Sequence, residues 1–197
     1  MGKETNLRDL LVERGVVIDG HFQLSSGNHT LKYVNKDLIL YDEVLRTKVV
    51  DALAIQLSLF KHNFDTITGP PDAGGILAGM LAYKLGVKYI FAEKVNEWND
   101  PFRFRSTSVH NLDRCNLIVV EDVITTGSSV SALAFEAEKV GAFISGIFAI
   151  WNRTYWKHPY VETVSLIQER IMEWQVKMCP GCRRGDPIII PKLNGVY

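Results

Sequence analysis

Two carboxylates, Glu121 and Asp122, stand between an apolar run, Leu117-Ile118-Val119-Val120, and a hydroxyl- and glycine-rich stretch, Thr125-Thr126-Gly127-Ser128-Ser129. Residues of these types in this order can hold a sugar and a phosphate. Carboxylates accept hydrogen bonds from sugar hydroxyls. The backbone N–H groups and hydroxyls of a tight turn, placed at the positive end of a helix dipole, hold an anion, and Gly127 lets the backbone approach it closely. Each part also has an ordinary reading: acids at a solvated strand end, a serine capping a helix. A nucleotide-hydrolysing P-loop protein also has an apolar strand ending in an acid, but it needs a G-x-x-x-x-G-K-[ST] loop, which this chain lacks.

The elements around these residues must bring them to one place. The apolar run reads as a strand buried on both faces, so Glu121 and Asp122 fall at its carboxyl end, where open parallel sheets bind ligands. From Val130, apolar residues at 133, 134, 137 and 140 predict a helix stopped by Gly141. Upstream, a short amphipathic helix spans Leu7 to Arg14, a polar hairpin-like region runs from His21 to Leu40, and a long helix follows from Glu43 to Leu59. A strand at Thr66–Gly69 then leads through a turn into a helix from Ile76 to Leu85, and further strands are expected at Tyr89–Ala92 and Gly146–Trp151. This alternation implies an α/β fold: a doubly wound, mostly parallel sheet flanked by helices, with a small N-terminal hood. We expect a single domain over 1–197, with a core at about 41–154 and a hood at about 1–40 that is joined by a C-terminal tail at about 155–197.

Composition sets limits on function. At 197 residues and 47% hydrophobic, the chain can bury a sizeable core. Lys plus Arg and Asp plus Glu both number 22, so there is no basic surplus to serve as a nucleic-acid footprint. No apolar run is long enough to span a membrane, the N-terminal residues lack a signal-peptide core, and Asn6 breaks the myristoylation pattern. The expectation is a cytoplasmic protein without nucleic-acid or membrane partners.

Two other loops are expected at the same sheet edge. Gly69-Pro70-Pro71-Asp72-Ala73-Gly74-Gly75 is either a tight turn or a cradle of backbone N–H groups for phosphates, and Gly69, Pro70, Gly74 and Gly75 are its candidate residues. The segment from Glu93 to Arg114 shows no apolar periodicity and carries Lys94, Arg103, Arg105 and His110. It reads as a mobile cationic lid, or else a solvated surface hairpin, with Trp98, Phe102 and Phe104 available to pack it down. Cys115 is a small buried hydrophobe. Cys179-Pro180-Gly181-Cys182 offers half a zinc site, which would need two more ligands, from a partner subunit or from His158. Its plain alternatives are a turn or an occasional disulfide.

The stretch from Leu117 to Ser129 resembles the phosphoribosyl pyrophosphate (PRPP) motif of type I phosphoribosyltransferases. The resemblance implies that Glu121 and Asp122 bind the ribose hydroxyls, that Thr125, Thr126, Gly127, Ser128 and Ser129 surround the 5′-phosphate, and that the Gly69–Gly75 loop takes pyrophosphate. Gly20-His21-Phe22-Gln23-Leu24-Ser25-Ser26-Gly27-Asn28-His29-Thr30 with Tyr33-Val34-Asn35 is similar to the hood of orotate phosphoribosyltransferases, and the tail from Cys179 to Lys192 to the ending of a bacterial subgroup of them. This implies transfer of the phosphoribosyl group to orotate in pyrimidine biosynthesis. Mg²⁺ would be held through PRPP rather than by dedicated protein ligands, and the enzyme would be a homodimer. In such enzymes an arginine after the last core strand binds the orotate carboxylate. Arg153 occupies that place, with Thr125, Ser26 and Tyr33 as further base-site residues. The chain departs from better-known members at Ser25, at Ala73 and Gly74 and near Glu97, where those enzymes carry lysines. Of the lid lysines Lys94 alone matches cleanly, and Arg103, Arg105 or His110 would substitute for the other. The alternatives are transfer to another base, purine or pyrimidine, and a PRPP-sensing regulator that has lost catalysis.

Overall fold

The computed structural model describes residues 6–24, 26–95, 101–105 and 109–191. Met1 to Thr5, Ser25, Glu97, Trp98 and Lys192 lie outside them. The chain forms two compact units, residues 47–169 and a second made of residues 1–46 with 170–197.

The first of these holds a five-stranded, wholly parallel sheet. Its strands are β3 (Thr66–Thr68), β4 (Lys88–Tyr89), β7 (Asn116–Ile124), β8 (Phe143–Asn152) and β9 (Glu162–Gln168), in the order β4-β3-β7-β8-β9. Helices α4 (Ala73–Leu85) and α5 (Ser128–Lys139) make the crossovers after β3 and β7. This is the expected α/β architecture. Leu117, Ile118, Val119 and Val120 are all completely buried, as a central strand covered on both faces requires. Removing each such side chain from water contributes about 1.5–3 kcal/mol. Leu133, Ala134 and Ala137 of α5 pack into the same core as Leu117, Val119, Ile147 and Ala149.

Several boundaries differ from the sequence reading. The strand does not stop at the carboxylates: β7 continues through Glu121 and Asp122 to Ile124, paired with β8 to Asn152. On its other side β3 ends at Thr68, opposite Val119, so Glu121 and Asp122 still lie past the carboxyl end of a neighbouring strand. Helix α4 begins at Ala73, not Ile76, because tertiary packing overrides the low helix propensity of Gly74 and Gly75. The tail set off at about 155 begins only after Gln168, since Glu162–Gln168 forms the fifth parallel strand.

The described part of the segment from Glu93 to Arg114 begins with a definite form. β5 (Ala92–Lys94) and β6 (Phe102–Phe104) make an antiparallel ribbon, in register Ala92↔Phe104 and Lys94↔Phe102. Phe102 and Phe104 are buried in the main core, as period-two alternation around Arg103 demands. The base of this segment is therefore anchored, and both its arginines pair with Glu93, Arg105 at 2.5 Å and Arg103 at 3.4 Å.

The second unit contains α1 (Leu7–Glu13), the hairpin β1 (Val17–Gln23) and β2 (His29–Val34), α2 (Lys36–Tyr41), β10 (Glu173–Trp174) and the short helix α6 (Pro180–Arg184). The hairpin-like region thus ends at Val34, and residues up to Tyr41 are helical. β2 is the centre of a β1-β2-β10 sheet. Helix α3 (Glu43–Ser58) starts here and continues into the other unit.

Candidate active site

Glu121, Val123, Ile124 and residues 125–130 line a small, open pocket at the end of β7. Its floor is the turn into α5. Gly127 is the N-cap, in the left-handed region at φ 74°, and Ser128 and Ser129 are the first helical residues. The serine cap weighed from the sequence is therefore replaced by a glycine cap, which leaves the hydroxyls of Thr126, Ser128 and Ser129 exposed. Thr126 Oγ1 and Ser128 Oγ lie 2.9 Å apart, and the Ser128 N–H donates to Thr126 Oγ1 at 3.4 Å. Such a turn at the positive end of a twelve-residue helix is chemically an anion seat.

The two carboxylates do not face the pocket together. Successive strand residues turn to opposite faces; Glu121 is half-exposed and borders the pocket, whereas Asp122 is 3% exposed. Each also accepts a backbone N–H at this end of the strand: Glu121 Oε1 from Asp122 at 3.0 Å, and Asp122 Oδ1 from Val123.

The β3–α4 loop converges on the same place. A Cβ on Gly69 would lie 2.3 Å from the carbonyl oxygen of Gly74 and 2.6 Å from that of Val120, so only glycine fits between the loop and β7. A Cβ on Gly74 would come 3.0 Å from Glu121 Oε1, which places the first turn of α4 directly beside the acid. The loop is held by the Gly75 N–H donating to Pro70 O at 2.7 Å and by the Tyr89 hydroxyl donating to Gly75 O at 3.0 Å. Asp72 caps the helix at φ 77°, ψ −127°, a conformation that costs a non-glycine residue about 1–3 kcal/mol and is found mostly at functional sites.

Arg153 follows β8 at the same sheet edge. It is only 9% exposed, and its N–H donates to Ile124 O at 3.0 Å, so its backbone is stitched to the residue that begins the anion turn. Burial to this degree is unusual for an arginine, which ordinarily stands as a solvated surface charge. Lys94 and His110 are exposed; Arg103 and Arg105 are exposed as well, but their charge is engaged by Glu93, whose carboxyl the hydrogen bond from Arg105 holds below the usual carboxylate range. Ser26 and Tyr33 belong to the hairpin of the other unit, where the Tyr33 ring lies 5.4 Å from that of Phe22.

Sequence reasoning missed the residues that brace the anion turn. Trp156 lies across it: a Cβ on Gly127 would come 2.1 Å from the indole. Asn152, 2% exposed, holds the segment carrying Trp156. Its amide donates to Trp156 O at 2.7 Å, and its Oδ1 accepts from the N–H groups of Trp156 and Thr154. The Thr154 hydroxyl donates to Thr125 O. The one available signal was the tryptophan itself, an apolar ring in the otherwise polar segment after Arg153.

The family model for the phosphoribosyl transferase domain matches residues 39–179. The chain is 32% identical to an orotate phosphoribosyltransferase of Campylobacter jejuni subsp. doylei, over 96% of its length and 99% of the relative's. It is 31% identical to that of Wolinella succinogenes, over 96% and 98%. Among solved structures, it is similar to the orotate phosphoribosyltransferase of Aeropyrum pernix, with TM-score 0.67 at 23% identity over 82% of this chain and 93% of that one. It is also similar to the adenine phosphoribosyltransferase of Thermoanaerobacter pseudethanolicus, with TM-score 0.61 at 22% identity over 70% and 88%. The shared fold thus serves proteins named for different bases.

Proposed function

The chain belongs to the phosphoribosyl transferase domain family, and from that membership we propose that it transfers the 5-phosphoribosyl group of PRPP to orotate, giving orotidine 5′-monophosphate and pyrophosphate. The observation that carries the choice of base is Arg153, a buried arginine at the end of β8 whose backbone N–H is tied to Ile124 O. A guanidinium pairs bidentately with a planar carboxylate, and orotate differs from other pyrimidines in carrying one. The resemblance of the whole chain to enzymes that bear orotate in their names supports the same reading.

In this reading the 5′-phosphate sits on the turn from Thr125 to Ser129, whose N–H groups and hydroxyls face it. Glu121 accepts the ribose hydroxyls, and Asp122, buried behind it, adds negative charge beneath the sugar. Departure of pyrophosphate from C1 builds positive charge on the ribose, which carboxylates fixed in a water-poor site stabilise. Gly69, Pro70, Gly74 and Gly75 hold the pyrophosphate at the first turn of α4. Lys94 approaches it from the ribbon, and Arg103 and Arg105 exchange Glu93 for phosphate oxygens. Thr125 and Arg153 orient orotate so that its ring nitrogen lies in line with C1, which supplies the entropic part of the rate enhancement.

Mg²⁺ takes oxygen ligands, and the Glu121 carboxylate that borders the pocket is an oxygen donor that fits it. Bound mainly through PRPP oxygens, Mg²⁺ would neutralise charge on the leaving group. The same membership supports a cytoplasmic homodimer; among the described residues no helix is long and apolar enough to cross a membrane.

The test is a base panel. With Mg²⁺ and PRPP, the purified protein consumes orotate and releases pyrophosphate, and leaves adenine, hypoxanthine and uracil unchanged. Turnover of adenine instead would assign it to another base, and PRPP binding without turnover of any base would make it a sensor.

A further inference from the structure

Cys179 and Cys182 are not alone. His21 and His29, on the paired strands β1 and β2, face them, and one ligating atom from each of the four residues lies within 4.8 Å of the other three. His21 Nε2 is 3.4 Å from Cys179 Sγ, 3.6 Å from Cys182 Sγ and 2.8 Å from His29 Nδ1, which is itself 3.2 Å from Cys182 Sγ. In a tetrahedron with Zn–S near 2.3 Å and Zn–N near 2.05 Å, ligand atoms stand about 3.4–3.8 Å apart. The four separations, 2.8–3.6 Å, lie at or just below those spacings, and all four atoms fall within 4.8 Å of one another, so small side-chain shifts would complete the tetrahedron. We propose that His21, His29, Cys179 and Cys182 bind one zinc ion as a closed, structural site.

The surroundings are built for it. The cluster is inside the protein, with Cys179 0%, His29 2% and His21 3% exposed. A bulge between Asp19 and Phe22 breaks the alternation of β1, so that His21 and Phe22 are buried in succession; re-aiming a side chain is what bulges do. His21 Nδ1 donates to the carbonyl of Asp186 at 2.9 Å, which fixes the tautomer and leaves Nε2 as a lone-pair donor toward the cysteines, the usual support of a metal-bound histidine. Asp186 is tied in turn by Arg184 at 2.6 Å. Gly181 is required between the cysteines, because a Cβ there would come 2.7 Å from the His21 ring. Pro180 at the first position of α6 sets the backbone between the two thiols.

Two sulfur and two nitrogen ligands in a tetrahedron select zinc among common divalent ions. Four protein ligands leave no open position, so the site clamps rather than catalyses. It ties the CPGC segment to a hairpin more than 150 positions earlier in the sequence, within a unit of small core, where metals commonly replace missing hydrophobic burial.

The test reads metal, not turnover, so it stands or falls separately from the orotate assignment. Protein purified without a metal-affinity step and dialysed should hold one zinc per chain by plasma mass spectrometry, released as thiols are titrated with a mercurial. Apoprotein given Co²⁺ should develop thiolate-to-metal charge transfer and the intense visible bands of a tetrahedral site. Cys182→Ser and His29→Gln should each lower retained zinc by roughly tenfold or more. The cobalt spectrum of the unmutated protein remains decisive if either variant fails to fold. Three results would overturn the proposal: no zinc together with no tetrahedral cobalt spectrum, full zinc retention in both variants, or a Cys179–Cys182 disulfide in protein handled anaerobically.

Discussion

Replacing Gly127 with alanine tests the brace on the anion turn. Two costs can be separated. Holding alanine at φ 74° costs about 1–2 kcal/mol, and a methyl carbon 2.1 Å from the Trp156 indole must displace that ring, at about 1–3 kcal/mol. Gly127→Ala should therefore lower stability by about 2–5 kcal/mol in urea unfolding. In a Trp156→Ala background the second cost vanishes, so the same substitution should lose only the backbone part. The resulting coupling of about 1–3 kcal/mol is the signature of direct contact. The PRPP KM should rise in Gly127→Ala as the hydroxyls of Ser128 and Ser129 move with the displaced turn. Additive effects within 0.5 kcal/mol, or a Gly127→Ala enzyme of unchanged stability and PRPP KM, would refute the contact and the role given to the turn.

Arg153→Ala removes a charge-assisted pair, about 2–3 kcal/mol, so the orotate KM should rise roughly thirty- to 150-fold while the PRPP KM changes little; equal effects on both would end the carboxylate assignment. Asp72→Gly relieves the positive φ at the start of α4 and should raise the unfolding free energy by about 1 kcal/mol, with a loss of stability counting against backbone strain there. Glu93 is held below the usual carboxylate range by Arg105 first and then Arg103. Its contribution is therefore fully present above the ordinary carboxylate pKa and is lost as pH falls through the lowered folded value. An NMR titration of its carboxyl should show a depressed midpoint that Arg105→Ala moves back up, and a midpoint unmoved by that change would contradict the pairing.

The parts of the molecule legible in the sequence were those with local causes. The β7–turn–α5 stretch carries its own pattern of apolar run, turn residues and helical spacing, and the structure differs there only in where the strand and helix begin and end. The side-chain alternation that separates Glu121 from Asp122 shows only because the strand continues past them. Other features depend on tertiary context. Gly74 and Gly75 read as loop residues because glycine disfavours helices, yet packing against β7 makes them helical. Phe102-Arg103-Phe104 carried a period of two over too few residues to stand out from its polar surroundings. Glu162–Gln168 alternates weakly and is only partly buried, so its pattern does not separate the fifth strand from the tail. The histidines beside the CPGC segment, and Asn152 behind Trp156, do their work through folded geometry that no spacing rule reveals.

The most direct measurement is steady-state formation of orotidine 5′-monophosphate by the unaltered protein and by Glu121→Gln, with Mg²⁺ and PRPP in excess. If Glu121 supports the charge that builds on the ribose, the unaltered protein turns over and Glu121→Gln lowers kcat roughly a hundredfold with its fold intact. Absence of orotidine 5′-monophosphate from the unaltered protein, or undiminished turnover in Glu121→Gln, would contradict it.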